Sequence, residues 1–305
     1  MVRTAVVTAG TAGIGLETAL GLAAAGFAVT VVGRDPERGA RAVDRINAAA
    51  PDHRARFLAA DLASLEAVRA LADGIAAEGP LGVLVNNVGA MFAARQDSVD
   101  GIEATFAVNH LSPYLLTELL LPSLRAGAPS RVVNVTSGSV RVAKRVFDAV
   151  EPPGGYYGFH WYGRAKLANL AHTLDLARRL DGSGVSVFAA DPGGAATDMT
   201  NGTMADPAIV SPGLRLLWPL VRRTFRRATS GPASVAAKPS IFAATDASLA
   251  DRTGIVIGPR AQPVTPFRPA TDPRVAAAVR RLSERLAPIT ASATIDGVDG
   301  RGRHK

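Results

Sequence analysis

Short runs of small and β-branched apolar residues alternate with longer stretches of helical periodicity along most of the chain. The apolar runs fall at 3–8, 28–32, 56–62, 81–85, 131–135, 185–190 and 254–258. Each reads as a buried strand, because apolar side chains occupy both faces. Helical patterns lie between them, at 16–25, from 64 onward, at 101–121, 161–180 and 233–245, with a terminal one at 274–286. This alternation predicts an α/β fold: a Rossmann-type, doubly wound, mostly parallel sheet of seven strands with helices on both faces, in a single domain. No linker divides residues 1–287. Residues 288–305 read as a flexible basic tail. Residues 198–235 hold several Gly and Pro residues and begin with little regular pattern, which suggests a segment over a substrate site.

The first strand runs directly into Gly10-Thr11-Ala12-Gly13-Ile14-Gly15, and a helix follows. Strand, glycine turn and helix together suit a dinucleotide pyrophosphate. Glycines admit the close approach, and the helix N-terminus offers free N–H groups. The second strand ends at Gly33-Arg34-Asp35-Pro36. An acid at that end would bond a ribose hydroxyl, whereas an arginine pairs with a 2′-phosphate, so Arg34 favours NADP(H) over NAD(H). Asp35 followed by Pro36 also reads as a helix N-cap. Asp61 ends the third strand. Asn86-Asn87-Val88-Gly89 follows the fourth, where asparagines can tie neighbouring strands or reach a ligand over the sheet edge. Asn109 lies within an apolar helix, where its amide needs partners. Ser137 stands beyond the carboxyl end of the fifth strand, where open parallel sheets present ligands.

Tyr162 and Lys166 are four residues apart on one predicted helix and share a face. An ammonium held near a phenol favours the phenolate, so the spacing predicts a tyrosine that titrates well below about 10. Five of the sixteen Phe, Trp and Tyr residues fall within 156–162. Such crowding suits either a pocket wall for an apolar or ring-bearing substrate or a packed loop.

Composition narrows this picture. With no cysteine there is no disulfide or thiolate metal site, and the five histidines lack ligand spacing, so no metal is expected. The net charge of +8 comes from 34 Lys and Arg against 26 Asp and Glu. No nucleic-acid motif accompanies it, so a solvated basic surface is expected and no nucleic-acid partner. No run reaches the length of a membrane span, and the cytoplasm is the default location. The piece 214–223 is apolar with basic flanks. A substrate lid, a partner-interface helix and a membrane-surface anchor are its candidate roles, in that order, since Pro219 interrupts a long helix.

These motifs, in this order, resemble the short-chain dehydrogenase/reductase family over roughly residues 3–260. The family's Thr-Gly-x-x-x-Gly-x-Gly stands here as Thr8-Ala9-Gly10-Thr11-Ala12-Gly13-Ile14-Gly15, with Ala9 in place of the first glycine. Its Asn-Asn-Ala-Gly stands as Asn86-Asn87-Val88-Gly89. The segment around Tyr162 and its distance from Ser137 look most like the retinol-dehydrogenase-like and protochlorophyllide-reductase-like branch, although Ala165 replaces the serine common there. The resemblance implies a catalytic set of Asn109, Ser137, Tyr162 and Lys166. It implies cofactor contacts at Gly10, Thr11, Gly13, Ile14, Gly15, Arg34, Asp61, Leu62, Asn86 and Gly89. Pro192, Gly193 and Thr197 would hold the nicotinamide carboxamide, with Tyr162 and Lys166 beside its ribose. It also implies a homo-oligomer, dimer or tetramer. The expected activity is hydride transfer between NADP(H) and a carbonyl or alcohol of a small-molecule substrate. Reduction of a carbon–carbon double bond, or cofactor binding without turnover, are the alternatives.

Overall fold

The computed structural model describes residues 3–52, 55–195, 203–228 and 230–289. The predicted alternation is present. Strands β1 (Arg3–Thr8), β2 (Phe27–Gly33), β3 (Arg56–Ala59), β4 (Val83–Asn86), β5 (Ser130–Val135), β6 (Val185–Ala190) and β7 (Ile255–Gly258) are all parallel. An eighth strand, β8 (Gln262–Val264), pairs antiparallel with β7, so the sheet runs β3-β2-β1-β4-β5-β6-β7-β8. Its three residues are exposed, too few to show an apolar run. Pro263 is tolerated there because an edge strand leaves one side unpaired. The order reverses between β1 and β4, and open sheets bind ligands beyond the carboxyl ends at such a reversal.

Strand alternation divides the core between two faces. Val6, Leu84, Val132, Val187 and Val256 face helices α3 (Leu65–Ala76), α5 (Ser112–Ala126) and α6 (Gly158–Arg179). Val7, Val83, Val85, Val133, Phe188 and Ile257 face α1 (Gly13–Ala24) and α2 (Pro36–Ala49). Leu111, Leu115, Leu116 and Leu120 are fully buried. Each such side chain contributes roughly 1.5–3 kcal/mol relative to exposure.

The pattern predicts one helix over 101–121, but the structure breaks it. A short α4 (Ala104–Phe106) passes into a π-helical turn, Ala107–Leu111, before α5 begins. Pro113 has no N–H to offer the carbonyl of Asn109 four residues back, which relaxes the α ladder there. Asn109 lies within this turn.

The turn also points His110 into a buried contact with α9 (Pro273–Leu286). Ser283 Oγ donates to Val279 O at 2.8 Å and therefore accepts from His110 Nε2 at 2.7 Å. His172 stacks edge-on to Tyr114 at 5.1 Å nearby. Burial holds His110 well below the ordinary imidazole range and pulls His172 down to about 4. The unfolded chain binds these protons near pH 6.5, so stability is intact above that pH and declines as pH falls toward 4. His172 alone accounts for about 3 kcal/mol at pH 4. Urea midpoints measured from pH 7.5 to 4.5 should fall accordingly, and His172→Gln should flatten the decline; an equal decline in that variant would refute the assignment.

Residues 203–228 hold more regular structure than their composition suggests. Trp218–Ala228 forms helix α7, with Pro219 at its start, where the missing N–H removes no helical bond. Helix α8 (Lys238–Thr245) then packs on the α1 side of the sheet.

Candidate active site

A cavity of about 1070 Å³ opens where the strand order reverses, beyond the carboxyl ends of the strands. That is just above the ~300–1,000 Å³ usual for cofactor and small-molecule sites. Thr11, Gly13, Ile14, Gly15, Arg34, Asp61, Leu62, Gly89, Ser137, Tyr162, Lys166, Pro192 and Gly193 all line it. Thr197 lies outside the described residues.

One wall is the turn between β1 and α1. A Cβ on Gly15 would lie 2.2 Å from Ala9 O and 2.5 Å from Asn87 Nδ2, so only glycine fits. Ala12 caps α1 without a side-chain bond, and the first turn holds no acid. The first N–H groups of α1 thus have no intrahelical acceptor and face no competing charge. Ala9, the departure from the family's glycine, takes φ +48°. It keeps the turn glycine would make, at a strain cost of about 1–2 kcal/mol. Gly10 does not line the cavity. Its hydrogen faces Val31 and Val7 O, where a Cβ would sit at 2.8 Å.

The far end of this wall carries Gly33, Arg34 and Asp35. A Cβ on Gly33 would meet Thr11 Cγ2 at 2.9 Å, which leaves no room for an acidic side chain. Asp35 caps α2 by accepting from Glu37 N and Arg38 N. Arg34 is exposed at the cavity edge. Arg38, in the first turn of α2, also lines this end and was not anticipated; its place just after the N-cap Asp35 could have marked it.

Asn86 is not at the cavity. Its Nδ2 donates to Thr117 Oγ1 and to Asn134 Oδ1, both at 2.8 Å, tying β4 to α5 and β5. These two bonds take up the amide nitrogen, and Oδ1 is buried away from the cavity. Asn87 stands there instead, donating to Thr8 O and Ala9 O at 3.2 and 3.3 Å. Strand parity carries that signal: Asn86 shares a face with Leu84, and the next residue turns to the α1 side.

The polar end of the site is built on α6. Gly163 lets the helix press against the exit of β5, since a Cβ there would lie 2.6 Å from Ser139 O. Tyr162 and Ser137 are thereby brought into a side-chain hydrogen bond. Lys166 Nζ donates to Val88 O at 3.1 Å and Val135 O at 3.0 Å, bridging the ends of β4 and β5. Asn109 clamps Ala90 from both sides: Oδ1 accepts from its N–H at 3.2 Å and Nδ2 donates to its carbonyl at 2.6 Å. Nδ2 also donates to Thr105 O. A Cβ placed on Gly89 would lie 3.6 Å from Asn109 Oδ1, 3.8 Å from Lys166 Nζ and 3.9 Å from Tyr162 OH. Residues separated by 77 positions thus converge on one point.

The electrostatics differ from the simple expectation for the Tyr-Lys spacing. Burial pushes Tyr162 up to about 12, the Ser137 bond pulls it back, and nearby Asp191 raises it further. Burial also pulls Lys166 down to about 7. Desolvation acts on both members of the pair, so it weakens the lysine charge that would draw out the phenol's proton. Asp191, which accepts from Gly193 N at 3.0 Å, is a neighbour that sequence reading did not single out.

The other side of Tyr162 is apolar. Met91, Ile209 and Val210 are buried with it, and Phe159, Met204, Trp218, Val221 and Phe225 pack around them. Only part of the aromatic run 156–162 faces the cavity. Phe159 and Tyr162 line it, whereas Trp161 is buried and Tyr156 OH bonds Thr105 Oγ1 at 2.9 Å.

Comparison with known proteins gives a consistent answer. The short chain dehydrogenase family profile matches residues 3–208. The chain is 36% identical to mouse retinol dehydrogenase 12 over 230 residues, 75% of this chain and 70% of that protein. It is 43% identical to mouse polyprenol dehydrogenase over 230 residues, 74% of this chain and 65% of that protein. With human retinol dehydrogenase 12 it shares 38% identity over 192 residues, 63% of this chain and 61% of that protein. The chain thus spans about three fifths to seven tenths of these relatives. Among solved structures, an NAD(P)-dependent gluconate 5-dehydrogenase from Beutenbergia cavernae with bound NADP is 28% identical, with TM-score 0.66 over 85% of this chain and 95% of that one. The fold, the site and these likenesses lead to one conclusion: the chain belongs to the short-chain dehydrogenase/reductase family of nicotinamide-dependent oxidoreductases, in its retinol-dehydrogenase-like branch.

Proposed function

We propose that the protein is an NADP(H)-dependent oxidoreductase that interconverts the alcohol and carbonyl of a small apolar substrate. The observation that carries this reading is the convergence of Tyr162 OH, Lys166 Nζ and Asn109 Oδ1 on one point beside an apolar wall. Two relatives act, by name, on retinol and polyprenol, both apolar alcohols.

The cradle fits a dinucleotide. Gly15 has no room for a side chain, the start of α1 is uncapped, and the cavity extends from Arg34 to Lys166. Gly13, Ile14 and Gly15 would hold the pyrophosphate, Asp61 and Leu62 the adenine, Arg34 a 2′-phosphate, and Pro192, Gly193 and Thr197 the carboxamide. When bound, the dinucleotide supplies or accepts the hydride. The chain's own residues manage the proton. Tyr162, kept protonated by burial, donates to the substrate oxygen in reduction and takes the proton back in oxidation. Ser137 donates a hydrogen bond to that oxygen as charge grows on it. Lys166, anchored by two carbonyls, holds its N–H groups beside the phenol and toward the ribose. Asn109 fixes Ala90 and with it Gly89, and its remaining lone pair can hold a water on the route to Lys166. Residues 198–235 act as the substrate lid, with Met204, Trp218, Val221 and Phe225 against the wall.

A screen of NADPH oxidation with aldehydes and ketones of increasing apolar length, retinal included, tests this, with alcohols and NADP run in reverse. Turnover that rises with apolar length is expected. Turnover confined to the double bond of enones, with no carbonyl reduced, would overturn it.

A further inference from the structure

Helix α7 has two faces. Trp218, Val221 and Phe225 recur at helical spacing and pack toward Tyr162. The opposite side and the turn before it present leucines to the surface. Leu216 is 85% exposed, Leu220 64%, Leu217 56% and Leu214 39%. Single exposed leucines are ordinary, but four within seven residues make a contiguous patch that marks a contact surface. Among the described residues no helix is long and apolar enough to cross a membrane.

We propose that residues 214–223 form a docking face that rests on an anionic lipid bilayer. The chain around the patch is basic. Arg222 and Arg223 are exposed beside the leucines, and the sequence continues with Arg226 and Arg227. From residue 207 to 245 there are six Lys and Arg residues and no Asp or Glu. Leucines that enter the acyl boundary, flanked by arginines at the headgroups, are the chemistry of interfacial helices. A second copy of the chain fits this face poorly. A two-fold contact would press two copies of the same basic patch together, with no acid between residues 207 and 245 to relieve the repulsion. The face is also the outer surface of the element that covers the apolar wall. A substrate dissolved in the bilayer would therefore reach the site without crossing water. That purpose rests on the apolar-substrate reading above; the docking itself does not.

Co-sedimentation of the full chain with phosphatidylcholine vesicles, with and without phosphatidylserine, tests the proposal. The chain should pellet with the serine-containing vesicles. Leu216→Ser/Leu217→Ser/Leu220→Ser should lower the bound fraction about tenfold at matched lipid, and Arg222→Glu/Arg223→Glu similarly. Dinucleotide affinity in vesicle-free buffer checks that both variants remain folded. A wild-type chain that stays in the supernatant overturns the proposal, as does a leucine variant that pellets like wild type. Leucine substitutions that only convert a dimer to a monomer also overturn it. Apolar aldehyde turnover without vesicle binding sinks this inference alone, and vesicle binding without turnover sinks the catalytic reading alone.

Discussion

Tyr162→Phe is expected to bind the dinucleotide as wild type does and to lose turnover by about 10²–10⁴-fold, the usual worth of a positioned general acid. The phenylalanine ring refills the apolar contacts with Met91, Ile209 and Val210. Only the hydroxyl and its bond to Ser137 disappear, so the folding cost should stay near 1 kcal/mol. Dinucleotide fluorescence and steady-state rates separate the two effects. The pH profile carries the sharper information. Reduction needs the phenol, and with Tyr162 held up at about 12 the phenol dominates across the accessible range. The reductive rate should therefore show no alkaline fall caused by this residue. Oxidation needs the phenolate, whose share rises tenfold per pH unit below about 12, so oxidative kcat/KM should climb with near-unit slope up to pH 10. A plateau by pH 8 would mean that Lys166 keeps its charge in the working site and draws the tyrosine down, as the four-residue spacing alone suggests.

That contrast marks where sequence reading stops. Period and apolar content located seven strands and the helices around them, because a buried parallel strand is nearly all apolar on both faces. The motif residues fell into one cavity for a topological reason: Ser137, Gly89, Asp61 and Pro192 each follow a strand, and parallel strands end on the same side. What escaped depends on three-dimensional surroundings. The π turn at Ala107–Leu111 needs knowledge of where Asn109 finds its partners at Ala90 and Thr105. The Tyr162 shift needs the depth of burial, which no spacing encodes. β8 is three exposed residues with a proline, indistinguishable in sequence from a loop.

Helix α7 shows a different kind of blindness. Pro219 argued against a helix because proline in mid-helix breaks it. At the helix start the same residue is benign, and the inner face then becomes visible at Trp218, Val221 and Phe225. Position within the element, not residue type, decided the outcome. A similar point holds for Gly163. In sequence it is a weak helix residue, yet it sets how closely α6 approaches β5, and so whether Tyr162 can meet Ser137.

Arg34→Asp is expected to lower the preference for NADPH over NADH, read as the ratio of kcat/KM values, by about 100-fold or more. A charge-assisted bond from a guanidinium to a phosphate contributes roughly 1.5–3 kcal/mol, and an aspartate there adds repulsion of the same phosphate. The aspartate can instead accept from ribose hydroxyls, which favours NADH. The site explains why the acid must enter here and not one residue earlier: a side chain at Gly33 would collide with Thr11. The fold should tolerate the change. Arg34 is exposed, so stability should move by about 0.5 kcal/mol or less. Asp35 keeps its cap on α2 and stays 3.8 Å from Arg38 Nε. Arg38 lines the same end and retains a cation near the phosphate, so Arg34→Asp with Arg38→Ala should move the ratio further than either change alone. An unchanged ratio in the double variant would remove the 2′-phosphate from this end of the cavity. An equal loss with both cofactors would instead assign Arg34 to the adenine, a contact that cannot tell the two dinucleotides apart.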